Sequence, residues 1–162
     1  MTREQPIKII LVGDSGVGKT CITQRAVCNS FSKQTSPTIA FSYLTLQIKT
    51  EQDTVFLTLW DTAGQESFRS LVPLYFKGAQ GSILVFDITK RHSFLSLPEW
   101  VDLLVNNEIN LSTCLLVGNK IDLQEGRAVN SVEASTFAGS HSMLGYLECS
   151  ALTGEALKKF FK

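Results

Sequence analysis

Gly13-Asp14-Ser15-Gly16-Val17-Gly18-Lys19-Thr20 decides the reading of this chain. The stretch fits G-x-x-x-x-G-K-[ST]. It follows the apolar run Ile7–Val12, broken only by Lys8, and precedes a helical pattern that starts near Lys19. Glycines let the backbone curl so that successive N–H groups point inward. The helix that follows adds the positive end of its dipole, which makes a cradle for phosphate oxygens. In that cradle Lys19 bridges terminal phosphates, and the Thr20 hydroxyl holds Mg²⁺.

The segments around this βα unit keep the same grammar. Leu44, Leu46 and Ile48 alternate with polar residues, and after Glu51-Gln52-Asp53 the alternation returns at Val55, Leu57 and Leu59, the pattern of an antiparallel hairpin. Residues 82–86 and 114–117 are unbroken apolar runs of the kind buried on both faces of a parallel sheet. Between them Ser96 and Glu99 have capping-box spacing around Pro98, and Leu97, Val101, Leu104, Val105 and Ile109 recur at helical spacing. Asn130 and Glu133 mark another helix start, through Phe137, before a last short strand over 146–149. The order β-α-β-β-α-β-α-β-α-β-α predicts an α/β protein of three layers. Its six-stranded, mostly parallel sheet has one antiparallel strand and helices on both faces, the P-loop NTPase arrangement. In such sheets ligands bind beyond the carboxyl ends of the strands.

Composition narrows the function. The 162 residues suit one domain, and Lys plus Arg equal Asp plus Glu at 15 each, so general nucleic-acid binding is not expected. No apolar run approaches the roughly 20 residues of a membrane helix, no signal core opens the chain, and cytoplasmic residence is expected. Cys21, Cys28, Cys114 and Cys149 are scattered in or beside apolar stretches, which predicts reduced packing thiols.

A phosphate cradle serves ATP and GTP alike, and the choice of base falls to Asn119-Lys120-x-Asp122 at the end of the 114–118 strand. A carboxylate at Asp122 can accept from both guanine N1–H and the exocyclic amino group. Adenine would set a lone pair against it. The Lys120 stem can cover one face of the base. Asp61-Thr62-Ala63-Gly64-Gln65-Glu66 follows the second hairpin strand. There Asp61 is placed to serve Mg²⁺ through water, Gly64 N–H to meet the γ-phosphate, and Gln65 to orient a water for in-line attack. The polar segment 29–41 carries Pro37 and lacks periodicity, a loop pattern. Thr38 within it could complete the Mg²⁺ shell and meet the γ-phosphate. The loop would then be ordered by the triphosphate and released by the diphosphate.

These four segments, with Glu148-Cys149-Ser150-Ala151 as a fifth, resemble the small Ras-like GTPases, and 60–66 looks most like the Rab branch. The resemblance covers nearly the whole chain. It implies one G domain over 1–162, truncated within a last helix begun by Leu157, Phe160 and Phe161. It further implies that Asp14, Ser15, Gly16, Val17, Gly18, Lys19, Thr20 and Cys21 line the phosphates. Phe31 would pack edgewise on guanine, Ser150 and Ala151 would touch its O6 through backbone N–H, and Leu152 would stand where relatives lay a lysine along the base. Mg²⁺ would be held by Thr20, Thr38 and Asp61. Gln65 and Lys19 would carry hydrolysis of bound GTP to GDP.

The same resemblance implies effector, exchange-factor and GTPase-activating partners. They would dock through segments 35–43 and 61–76, with Tyr43, Trp60 and Tyr75 as an aromatic triad. It implies a monomer at the cytosolic face of endomembranes, reached in relatives by a prenylated tail not present in this chain, and a role in vesicle trafficking. Two other readings stand beside it: a guanine-nucleotide module that does not cycle, and a Ras- or Rho-type signalling switch.

Overall fold

Six strands form one sheet in the computed structural model, which describes residues 5–29, 31, 41–49, 51, 53–62 and 70–157. They are β1 Ile7–Val12, β2 Phe41–Lys49, β3 Thr54–Thr62, β4 Gly81–Asp87, β5 Cys114–Asn119 and β6 Gly145–Cys149, in the spatial order β2-β3-β1-β4-β5-β6. Only the β2–β3 pair is antiparallel, and its register sets Leu46 opposite Leu57 and Leu44 opposite Leu59, as the alternation in sequence requires. The pairs β1–β3, β1–β4, β4–β5 and β5–β6 are parallel, so five carboxyl ends share one edge.

Period-two alternation explains why the parallel strands are apolar throughout. Ile10, Val12, Leu84, Phe86 and Leu116 face one layer, while Leu11, Ile83, Val85 and Val117 face the other. The first layer is filled by α4 Leu97–Asn106 and α5 Ser131–Ser140, through Leu97, Trp100, Leu104, Ala134 and Ala138. The second receives α1 Lys19–Cys28, through Ile22, together with Leu157. Two short helices, α2 Val72–Phe76 and α3 Arg91–Leu95, complete the connections. Phe160 and Phe161 lie outside the described residues.

Three local expectations are corrected. Ser96 precedes α4 but makes no side-chain cap, because its hydroxyl donates instead to Asp14 Oδ2 at 2.6 Å. The buried stripe of α4 includes Trp100, while Val105 is 51% exposed and Ile109 is buried beyond the helix end. Cys28 is exposed at the end of α1 rather than packed, whereas Cys114 and Cys149 are buried. The Asn130 start signal forms as predicted, with Oδ1 accepting from Glu133 N at 2.8 Å. That helix runs on past Phe137 to Ser140.

One ion pair ties β6 to the segment before α5. Arg127 donates through both terminal nitrogens to Glu148, at 2.8 and 2.9 Å, and the Tyr146 hydroxyl donates to the same carboxylate at 2.7 Å. The Arg127 guanidinium holds the Glu148 carboxyl below its usual 4.5 against the opposing effect of burial, and Tyr146 adds to the lowering. A depressed carboxyl contributes stability that is full above the unfolded value and lost as pH falls through the folded one. Arg127→Met is therefore expected to lower urea stability by about 1 kcal/mol at neutral pH. The difference from wild type should shrink steadily below about pH 4.5. A pH-independent difference would assign the loss to packing instead.

Candidate nucleotide site

The turn leaving β1 is shaped by what surrounds it. Gly13 has φ +140 and lies so close to β4 that a Cβ would meet Val85 O at 2.2 Å. Gly18 has φ +99, and a Cβ there would meet Asn119 Nδ2 at 2.3 Å. Neither position admits another residue without displacing backbone or the Asn119 amide. Inside the turn Lys19 is 6% exposed, and its ammonium donates to Gly13 O and Asp14 O at 2.8 Å each. Burial pulls that ammonium down to about 8, and Asp61 and Asp14 hold it partly up.

Asp14 is anchored from below by groups that its motif does not announce. Its carboxylate accepts from Ser96 Oγ at 2.6 Å and from Trp100 Nε1 at 2.8 Å, which fastens the turn to α4. On the other side of the turn the Thr20 hydroxyl donates to Asp61 Oδ2, and Asp61 is 1% exposed at the end of β3. A hydroxyl and a carboxylate side by side form an oxygen donor pair that fits Mg²⁺. Ser15 and Gly16 are exposed at the rim, Val17 is buried, and Cys21 is partly buried in the first turn of α1.

The strand ends to the right of β1 supply the second half of the site. Asn119 is 1% exposed and ties three segments together. Its Nδ2 donates to Val17 O at 2.9 Å, and its Oδ1 accepts from Ala151 N at 3.1 Å and from the Cys149 thiol at 3.6 Å. Lys120 takes a left-handed conformation, φ 73, which turns its ammonium back to Gly16 O at 2.8 Å and to Asp87 Oδ2 at 2.7 Å. Asp87 ends β4 fully buried. Burial works to raise its carboxyl, but Lys120 and the Thr89 hydroxyl and amide together hold it below the usual value. Asp122 follows on a 3₁₀ turn, Ile121–Gly126, and accepts from Ser150 Oγ at 2.6 Å. A cleft of about 530 Å³ lined by Thr89, Asp122, Leu123, Gln124, Glu125 and Gly126 opens beside that carboxylate.

The structure thus brings together Asp14 to Cys21, Asp61, Asn119, Lys120, Asp122, Ser150 and Ala151 along one sheet edge. Leu152 is partly exposed beside them, and Phe31 is partly buried against the cluster that includes Val17 and Ala151. Ser150 acts differently from the expectation. Its N–H is committed to Glu155 O at 3.2 Å, and its contribution is the hydroxyl that steadies Asp122. Ala151 N–H is buried and donates to Asn119 Oδ1. Thr38, Gly64 and Gln65 lie outside the described residues. Sequence reasoning missed Asp87, Ser96, Trp100 and Arg25. Asp87 had a signal, a carboxylate that closes an apolar strand at the ligand edge. The others are brought in only by the fold.

A glycine turn between a strand and a helix, closed around a buried lysine at the carboxyl edge of a parallel sheet, defines a P-loop protein. The family model described as "Ras family" matches residues 8–162. Ras-related protein Rab-11A of Dictyostelium discoideum is 40% identical over 155 residues, 96% of this chain and 72% of that protein. Ras-related protein Rab-4 of the same organism is 39% identical over 155 residues, 96% of this chain and 75% of that one. Ras-related protein Rab-30 of Homo sapiens is 40% identical over 154 residues, 95% of this chain and 75% of that one. The chain belongs to the Ras family and is a Rab-like small GTPase, an enzyme that binds GTP and hydrolyses it to GDP and phosphate.

The close approach at Gly18 gives a direct test. Gly18→Ala is expected to push Asn119 aside and to weaken GDP binding by about tenfold or more, measured by fluorescence titration. Gly78→Ala is the control for backbone strain alone. Its φ is +78 and nothing lies within 4 Å of its would-be Cβ, so GDP affinity should stay at the wild-type value.

Proposed function

We propose that this site holds guanine nucleotide at both ends and works as a GTP-dependent switch in membrane trafficking. The observation that carries the reading is the coupling of the two ends. Asn119 Nδ2 grips Val17 of the phosphate turn while its Oδ1 grips Ala151 of the base loop, and Lys120 grips Gly16. A nucleotide bound across them would engage both ends of one rigid body.

In this reading Lys19 gives up its bonds to Gly13 O and Asp14 O and turns to the β- and γ-phosphate oxygens, whose charge favours the ammonium form. Asp122 accepts from guanine N1–H and the 2-amino group, and Lys120 covers one face of the base. Thr20 and Asp61, with Thr38, would hold Mg²⁺, which when bound offsets charge on the β- and γ-phosphates. Gln65 orients the attacking water.

No arginine among the described residues is available to the γ-phosphate. Arg25 is bound to Ala151 O and Leu152 O, Arg91 to Glu133, and Arg127 to Glu148. Arg3 and Arg69 lie outside the described residues. An arginine supplied by a partner is worth roughly 10³- to 10⁵-fold in this enzyme class, and we expect turnover of the chain to rise on that scale when such a partner is added. Partner proteins would read segments 35–43 and 61–76. There Tyr43, 56% exposed, stacks on Trp60 with ring centroids 5.2 Å apart, and the Lys8 ammonium lies 3.9 Å from the same indole. The resemblance to Rab proteins supports a place at the cytosolic face of endomembranes. Among the described residues no helix is long and apolar enough to cross a membrane.

Single-turnover hydrolysis tests the proposal. Gln65→Leu should keep GTP affinity and lower the hydrolysis rate about tenfold or more, within the range that positioned groups contribute. Asp122→Asn should move preference from GTP toward XTP, because the amide can donate to the xanthine O2 where the carboxylate accepted an amino group. Unchanged hydrolysis in the first variant would remove Gln65 from the chemistry, and unchanged purine choice in the second would remove Asp122 from base reading.

A further inference from the structure

Arg25 projects from the last turn of α1 toward the back of the loop that follows β6. Its Nε donates to Ala151 O at 2.9 Å, its Nη2 to Leu152 O at 2.6 Å and its Nη1 to Asn29 O at 3.1 Å. The planar fork of a guanidinium suits this task, since it engages consecutive carbonyls in a fixed geometry that a lysine ammonium cannot reproduce. Gly154, at φ +80, lets the loop turn back over the guanidinium, and a Cβ there would lie 3.5 Å from Arg25 Cδ. The loop closes on itself through Gly154 N to Ser150 O at 2.8 Å and Ser150 N to Glu155 O at 3.2 Å.

The consequence follows from peptide geometry. In a trans peptide the N–H points opposite to the C=O of the same unit. Drawing Ala151 O and Leu152 O toward Arg25 therefore turns the N–H groups of Leu152 and Thr153 away from it, to the side where Asp122 lies. The Thr153 N–H then donates to Ser150 Oγ at 3.1 Å, and the Ser150 hydroxyl, its lone pair so occupied, donates to Asp122 Oδ1 at 2.6 Å. One chain of hydrogen bonds runs from Arg25 through the Leu152–Thr153 peptide and Ser150 to the carboxylate.

We propose that Arg25 is the positioning residue for guanine recognition: from the far side of the loop it sets the orientation of Asp122, and so the discrimination of the base's 2-amino group. The inference rests on the reading of Asp122 as the base reader. Because the same guanidinium holds Asn29 O, where α1 gives way to segment 30–40, it also ties the base loop to the stem of that segment.

Dissociation of fluorescent GDP and of its inosine counterpart, IDP, from the full chain in magnesium buffer tests the inference. IDP lacks only the 2-amino group, so the ratio of the two rates reports how well Asp122 is aimed. Wild type should release IDP faster than GDP. In Arg25→Ala the GDP rate should rise about tenfold, the scale of one lost charge-assisted bond. The IDP rate should rise less, so that the IDP-to-GDP ratio falls by about threefold or more. Arg25→Lys, which keeps the charge on a single donor nitrogen without the planar fork, should recover part of the ratio, and it carries the same measurement if the alanine variant does not fold. Equal rises for both nucleotides, or no rise, would reduce Arg25 to a structural or idle residue and overturn the inference. Equal release of GDP and IDP by wild type would overturn the reading of Asp122 itself, and the inference with it.

Discussion

A buried ammonium is the constraint on which the rest of this structure depends. Lys19 is almost fully enclosed at the start of α1, and a cation in that position is tolerable only where carbonyls and carboxylates converge on it. Gly13 O and Asp14 O supply the direct partners, and Asp61 and Asp14 supply the field. For those carbonyls to point inward the backbone must curl against β4, which admits no side chain at residue 13. The glycines, the parallel sheet that brings β4 alongside β1 and the anchoring of Asp14 by Trp100 all serve the placement of one charge. A polyphosphate is the ligand that answers it.

Around that charge the edge of the sheet is knit crosswise rather than along the chain. Asp87 and Asn119 face one another in the β4–β5 register, and Asn119 faces Cys149 in the β5–β6 register. Asn119 and the neighbouring Lys120 then reach back to the phosphate turn, at Val17 O and Gly16 O. The left-handed Lys120 is the sharpest instance. It adopts a conformation disfavoured for its type so that one ammonium can span Gly16 O and a buried carboxylate. Strain of this kind persists where the surroundings over-determine it. Here it fastens the phosphate turn to the carboxyl end of β4.

Much of this was legible from the residues alone. Strand periodicity foretold the antiparallel hairpin, and in the structure Leu44, Leu46 and Ile48 stand opposite Leu59, Leu57 and Val55, on the faces that the alternation assigns them. The phosphate turn, the Asn119 to Asp122 segment and Asp61 carry spacings that their chemistry demands. What could not be read depends on partners far away in sequence. Ser96 looks like a helix cap and is diverted to a carboxylate 82 residues earlier. Trp100 looks like core and is also a donor, 86 residues from its acceptor. Arg25 looks like a solvated helix residue and grips carbonyls more than 120 residues on. Local pattern states what a side chain can do, and topology decides whom it meets.

The most direct test of the account is the affinity of the purified chain for GDP against ADP, titrated in magnesium buffer. A cradle that grips the diphosphate while Asp122 checks the base predicts tight GDP binding and an ADP affinity weaker by about 10⁴-fold, the scale on which a site built to hydrogen-bond a ligand group rejects an analogue without it. Equal affinity for the two, or failure to hold either, would contradict it.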